Sequence, residues 1–120
     1  MNQDYKDKQL SLCKRFGVDC LSSADFQKVG VSSNILDQSW SWPVHGLRCQ
    51  PHSEATGWYI WSGEFSEAAD FFQPLHVSHL TKYCEAALAY LGLPPGWRFL
   101  IAPDHEDVWF DKKLLDVKGE

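Results

Sequence analysis

Residues 77–101 constrain the fold of this 120-residue chain more than any other stretch. Val77, Leu80, Cys84, Ala87, Leu88 and Leu91 recur at helical spacing and form one apolar stripe. Gly92, Pro94, Pro95 and Gly96 then forbid the helix from continuing, and Trp97-Arg98-Phe99-Leu100-Ile101 follows as a β-prone run. A helix with a single apolar stripe must bury it against another layer, so this stretch predicts a helix laid on a sheet.

Trp58-Tyr59-Ile60-Trp61 is the strongest strand signal, apolar on both faces, and both faces are therefore expected to be covered. Residues 44–49 and Val108-Trp109-Phe110 read as further strands, and the Pro103-Asp104-His105-Glu106 connection is short enough for an antiparallel hairpin. Residues 5–16 read as a helix stopped by Gly17, and residues 112–117 as a terminal turn. The stretch 22–42 is polar and turn-rich, with a short turn of helix expected over 25–29. The expectation is an α+β fold: a single small domain with a mainly antiparallel sheet packed against one main helix at 77–91. Within it, residues 1–41 form an N-terminal helical and irregular segment and residues 42–120 the core.

Composition narrows the functional classes. The formal net charge is −5, and residues 41–80 hold Arg48 alone against Glu54, Glu64, Glu67 and Asp70. That balance argues against nucleic acid, whose binders carry a basic stripe. No apolar run approaches the roughly 18 residues of a membrane span, and the first residues lack the apolar core of a secretory signal. With four Cys and no export signal, a cytoplasmic protein with reduced thiols is expected.

Candidate chemistry is sparse. Cys49-x-x-His52 and His76-x-x-His79 have the short spacing by which chains deliver zinc ligands, but no Cys-x-x-Cys or His-Glu-x-x-His accompanies them, and His residues bordering an apolar stripe and a Cys in a core are the commoner reading. No metal and no cofactor is expected. Cys84 lies on the apolar stripe, where a thiol is inert, and Cys13 and Cys20 lie in weakly patterned sequence. Asp104, Glu106, Asp107 and Asp111 could supply paired carboxylates, but all four belong to one hairpin, where a solvated acidic edge is the commoner arrangement. No Gly-x-Ser-x-Gly elbow or glycine-rich phosphate loop is present. No catalytic residue is assigned.

Binding suits the composition better. The chain has six Trp, seven Phe and four Tyr, large side chains that serve both cores and interfaces. Trp58 and Trp61 fall on opposite faces of their strand, so at least one is expected to be partly exposed. Trp109 points away from Val108 and Phe110. The candidate partner-binding set is therefore Trp61 and Trp109 as anchors, with Glu64, Glu67, Asp104, Glu106, Asp107 and Asp111 as an acidic surround suited to a basic protein.

Several segments together resemble a known family. They are Gly46-Leu47-Arg48, Gly57-Trp58-Tyr59-Ile60-Trp61-Ser62-Gly63-Glu64, Phe71-Phe72-Gln73-Pro74-Leu75-His76-Val77, Leu91-Gly92-Leu93-Pro94-Pro95-Gly96-Trp97-Arg98-Phe99 and Glu106-Asp107-Val108-Trp109-Phe110-Asp111. From about Trp42 to Leu115 the chain is similar to the immunity protein 33-like family of bacterial polymorphic-toxin systems. The resemblance implies a small non-enzymatic protein that neutralises a cognate toxin by binding it, and it carries over no catalytic residue. The alternative is a small enzyme or a carbohydrate-binding domain using the aromatic and carboxylate side chains. Nothing in the sequence fixes the oligomeric state.

Overall fold

A computed structural model describes residues 3–116; Val117, the end of the predicted terminal turn, lies outside the described residues. Six strands form one mixed sheet: β1 (Lys28–Ser32), β2 (Val44–Arg48), β3 (Ala55–Ser62), β4 (Phe72–His76), β5 (Trp97–Ala102) and β6 (His105–Phe110). Their order across the sheet is β4-β1-β3-β2-β5-β6. All neighbouring pairs are antiparallel except β1 and β3, which run parallel. The helices are α1 (Gln3–Arg15), α2 (Ser33–Leu36) and α3 (Leu80–Tyr83), with 3-10 turns at Val77–His79, Glu85–Tyr90 and Lys112–Asp116. The fold is α+β, as the sequence predicts, and among the described residues no helix is long and apolar enough to cross a membrane.

Strand β4 and helix α2 have no counterpart in the sequence expectations, and two further segments depart from them. Residues 28–32 extend as β1 rather than continuing a helical turn begun at 25, because Val29 and Val31 pair into the sheet between β4 and β3 and are buried. The β-branched residues gain more from that pleated, covered surface than from a short exposed helix. The predicted helix at 77–91 is helical but broken at Cys84, whose backbone is extended (φ −157°, ψ 76°). Its carbonyls are diverted to side-chain donors. Tyr83 O accepts from Trp40 Nε1 at 2.9 Å, Leu88 O from Gln9 Nε2 at 2.8 Å, and Leu91 O from Trp58 Nε1 at 2.9 Å. The stripe still does what its spacing predicts: Val77, Leu80, Cys84, Ala87, Leu88 and Leu91 are all buried. The longest helix is instead α1, packed on the Glu85–Tyr90 turn.

One continuous core lies between the helices and one sheet face. It joins Leu12 and Cys13 of α1, Ile35 of α2 and the 77–91 stripe to Val29, Val31, Val44, Trp58, Ile60, Phe99 and Ile101. Gly46 sits among these inward positions because Phe99 fills the space a Cβ would need. Arg48 takes the next inward position on β2. It is 2% exposed, and its guanidinium donates to the carbonyls of Thr56, Leu21, Leu91 and Leu93.

Candidate functional site: the second face of the sheet

Residues directly opposite in a ladder point to the same face, so the strand register maps the side away from the helices. One row crosses the sheet as Trp109, Arg98, Leu47, Tyr59, Gly30 and Pro74. A second runs Asp107, Leu100, His45 and Trp61, and Phe72 of β4 continues it beyond Trp61 with ring centroids 6.0 Å apart. None of these residues belongs to the helix-side core.

The two halves of this face differ. Over β3 and β4 the segment that follows Gly63 folds back, and its phenylalanines build a ring cluster. Trp61 packs edge-on against Phe65 (5.4 Å), Phe65 against Phe71 (5.6 Å), and Phe72 against Tyr59 (5.1 Å). On its other side Trp61 stacks on His45, with centroids 4.9 Å apart and planes within 6°. Burial holds the His45 imidazole below its ordinary pKa, Arg98 adds to that, and a backbone hydrogen bond to Gly63 opposes it. Over β2, β5 and β6 the face carries Leu47 and Leu100, both half-buried, and Trp109, which is 38% exposed. The Arg98 guanidinium lies 5.4 Å from the centre of the Trp109 ring and donates to Asp111 Oδ2 at 3.1 Å, while its Nε is buried with no hydrogen-bond partner. The Tyr59 ring packs onto Gly30, filling the space a Cβ would need, and beside them a hollow of about 400 Å³ opens between Lys28, Glu54, Phe72 and Pro74.

The structure splits the sequence-selected residues. Trp61 is not the exposed anchor: both it (4% exposed) and Trp58 (1%) are buried, Trp58 under the helices and Trp61 under Phe65, Phe72 and His45. Trp109 is exposed and does point away from Val108. Asp107 and Asp111 lie on β6 and just beyond it, with Asp107 2.8 Å from His105 Nε2 and Asp111 bound to Arg98. Glu64 and Glu67 are exposed on the segment that carries Phe65, at the opposite flank. Glu106 faces the helices instead. It accepts from Tyr90 Oη at 2.6 Å and from Arg15 Nη2. Partial burial raises the Glu106 pKa, but the bonds from Tyr90 and Arg15 outweigh it and the net direction is down. Asp104 occupies the hairpin tip between β5 and β6.

Alternation along β6 therefore sends Glu106 and Asp107 to opposite faces, so this hairpin does not build the paired carboxylates a glycosidase needs. No group of three or more His, Cys, Asp or Glu that could hold a metal ion occurs among the described residues. His76 and His79 meet only as edge-packed rings 5.7 Å apart.

Residue-by-residue reading missed His45, Leu47, Tyr59, Arg98 and Leu100. Their alternation was visible within each strand. What placed them beside Trp109 was the strand order, which sequence spacing does not reveal.

The family model for the Imm33-like domain matches residues 8–111. Neither a curated protein nor a solved structure matches the chain.

Proposed function

The chain belongs to the Imm33-like domain family, whose name is that of an immunity protein, and from that membership we propose that it acts without catalysis, binding and neutralising a cognate bacterial protein toxin in the cytoplasm. The observation that carries the reading to particular residues is the second sheet face. Among the described residues α1, α2 and the 77–91 segment pack on the other side, and Trp109, Arg98, Leu47, Tyr59 and Leu100 are left half-buried or exposed in one layer. Tyr, Trp and Arg around small apolar centres are the residue types that dominate interface energetics. Glu64, Glu67 and Asp70 flank this face at one end and Asp107 and Asp111 at the other, which favours a toxin surface with a basic rim and makes association faster at low salt.

The test takes the proteins encoded beside this chain, finds the one whose expression arrests growth, and measures its binding. Trp109→Ala and Leu100→Asp are expected to weaken toxin binding by about 30-fold or more each, as central anchors do. The melting temperature of Trp109→Ala should stay close to wild type, because that side chain is exposed and outside the helix-side core, whereas Leu100→Asp sets a carboxylate opposite Asp107 and should melt lower while still folding. Reversal of the Asp104 charge, at the hairpin tip, is expected to change only the salt dependence. Undiminished binding by both face variants, or a toxin that the wild-type chain does not restrain in co-expressing cells, refutes the proposal.

A further inference from the structure

Two cysteines that the proposed function does not use lie together at the end of α1. The helix closes on Gly17, whose φ of +70° suits glycine, and the chain doubles back: Phe16 N and Val18 N both donate to Cys13 O, at 3.2 and 3.0 Å. The reversal carries Cys20 to the side of Cys13. Both sulfurs crowd one point of the backbone. A methyl group on Gly92 would lie 2.5 Å from Cys20 Sγ and 3.6 Å from Cys13 Sγ. The segment carrying Cys20 is held in place, since Leu21 N donates to Gly92 O at 2.8 Å and Arg48 Nη1 donates to Leu21 O at 3.0 Å.

Exposure separates the two thiols. Cys13 and Cys20 both line an open hollow of about 390 Å³ between Leu10, Lys14, Val18 and Asp19, with Cys13 buried at its wall and Cys20 half-buried and within reach of solvent. Burial pushes the Cys13 thiol up to about 12 and the Cys84 thiol up to about 11, and Cys49 is likewise raised, so the first attack on an oxidant falls to the solvent-reachable Cys20, and Cys13 takes part through its position beside it.

We infer that Cys13 and Cys20 are a peroxide-responsive thiol pair, Cys20 the residue oxidised first and Cys13 the residue that resolves it into a disulfide. The Cys20 thiolate attacks hydrogen peroxide, breaking the O–O bond to give a sulfenic acid and hydroxide, which takes up the proton that Cys20 released. The Cys13 sulfur then attacks the sulfenic sulfur. The S–O bond breaks, the departing hydroxide takes the Cys13 proton as water, and an S–S bond forms. Overall, two thiols and one peroxide give one disulfide and two waters. The crosslink fastens the end of α1 to a segment already tied to Gly92 and Arg48, so it acts as a reversible staple on the N-terminal helix.

The experiment treats the full chain with hydrogen peroxide, alkylates the remaining thiols and maps the peptides without reduction. The expected product has lost two hydrogens, carries a Cys13–Cys20 disulfide, returns to free thiols with dithiothreitol and melts at a higher temperature than the reduced protein. Cys49 and Cys84 should be alkylated only after unfolding. In Cys13→Ala the reaction should stop at a Cys20 sulfenic acid captured by a cyclic diketone, and in Cys20→Ser no intramolecular disulfide should form. A wild-type chain that forms no Cys13–Cys20 disulfide, forms one through Cys49 or Cys84 instead, or goes to a Cys20 sulfinic acid with Cys13 still alkylatable overturns the inference.

Discussion

Replacing Arg48 with Met is expected to destabilise the protein by about 3–5 kcal/mol, and the value follows from which carbonyls lose their donor. Met keeps much of the apolar stem and removes the charge. Replacing a buried ion pair with apolar residues is often neutral, because both charged partners go together. Here the partners are backbone carbonyls and cannot go. Leu91 O retains the Trp58 indole at 2.9 Å, and Leu21 O is only partly buried. Thr56 O and Leu93 O, which received guanidinium donors at 2.9 Å each, lose them inside the protein. Two orphaned acceptors cost about 1–3 kcal/mol each. Loss of the guanidinium near the Trp58 ring, 5.7 Å from its centroid, adds to that. Against these stands the relief of burying a cation, whose cost shows in the Arg48 pKa, lowered by desolvation to about 10. The group remains charged at neutral pH, and the orphaned carbonyls outweigh the relief. Urea unfolding of wild type, Arg48→Met and Arg48→Lys checks this, with Lys falling between the other two because its single nitrogen satisfies some of the same acceptors. A Met variant within about 1 kcal/mol of wild type, or a Lys variant less stable than Met, refutes the reasoning.

Two further predictions concern the stripe and acid. Leu88→Ala, at a fully buried position under the sheet, should cost about 2–5 kcal/mol in the same assay; a loss below 1 kcal/mol would mean that the broken helix is not packed as described. Acidification should remove stability in two steps. His45 has its folded pKa depressed, so its contribution is fully present above the ordinary value of 6.5 and is lost as pH falls through the folded value. Glu106 behaves likewise in a lower window, present above 4.5 and lost as pH falls through its folded value. Thermal melts from pH 8 to pH 3 on wild type, His45→Gln and Glu106→Gln check this: the first variant should flatten the upper step and the second the lower, and unchanged profiles in both would refute the assignment.

The parts legible in the sequence were those fixed by local pattern. The Pro94-Pro95-Gly96 stop, the strands around Trp58, Phe99 and Trp109, and the buried stripe at 77–91 each depend on residues within one element, and each is present. The break at Cys84 was not legible, because it depends on Trp40 and Gln9 reaching carbonyls from distant segments. Strand β1 was hidden for a related reason: five residues with two valines become a strand only when β3 and β4 arrive on both sides. Arg48 illustrates the same limit, since nothing in Leu47-Arg48-Cys49 announces a cation surrounded by carbonyls from four other places. Alternation set Trp109 opposite Val108 and Phe110 and left open which side is outward; the structure leaves both Trp109 and Phe110 exposed. Alternation also put Trp61 on the face opposite Trp58, but could not foresee that Phe65 would fold back over it.

That fold-back narrows where a partner would sit. An apolar sheet face gains stability only when something covers it. Phe65, Phe71 and Phe72 supply that cover for Tyr59 and Trp61, at the cost of leaving Phe65 itself 55% exposed. Leu47 and Leu100 stay half-buried and Trp109 38% exposed on β2, β5 and β6, which form the far half of the sheet. Arg98 lies in that half, held by Asp111 below the Trp109 ring, with its Nε hydrogen still without an acceptor. A partner that covers Leu47 and Leu100 and offers a carbonyl or carboxylate oxygen to Arg98 would remove apolar surface from water and satisfy a buried donor in one contact. The covered half cannot do this, because its rings already satisfy one another. On the proposed function, toxin contact is therefore expected to centre on Leu47, Leu100 and Trp109, with Phe65 at its margin.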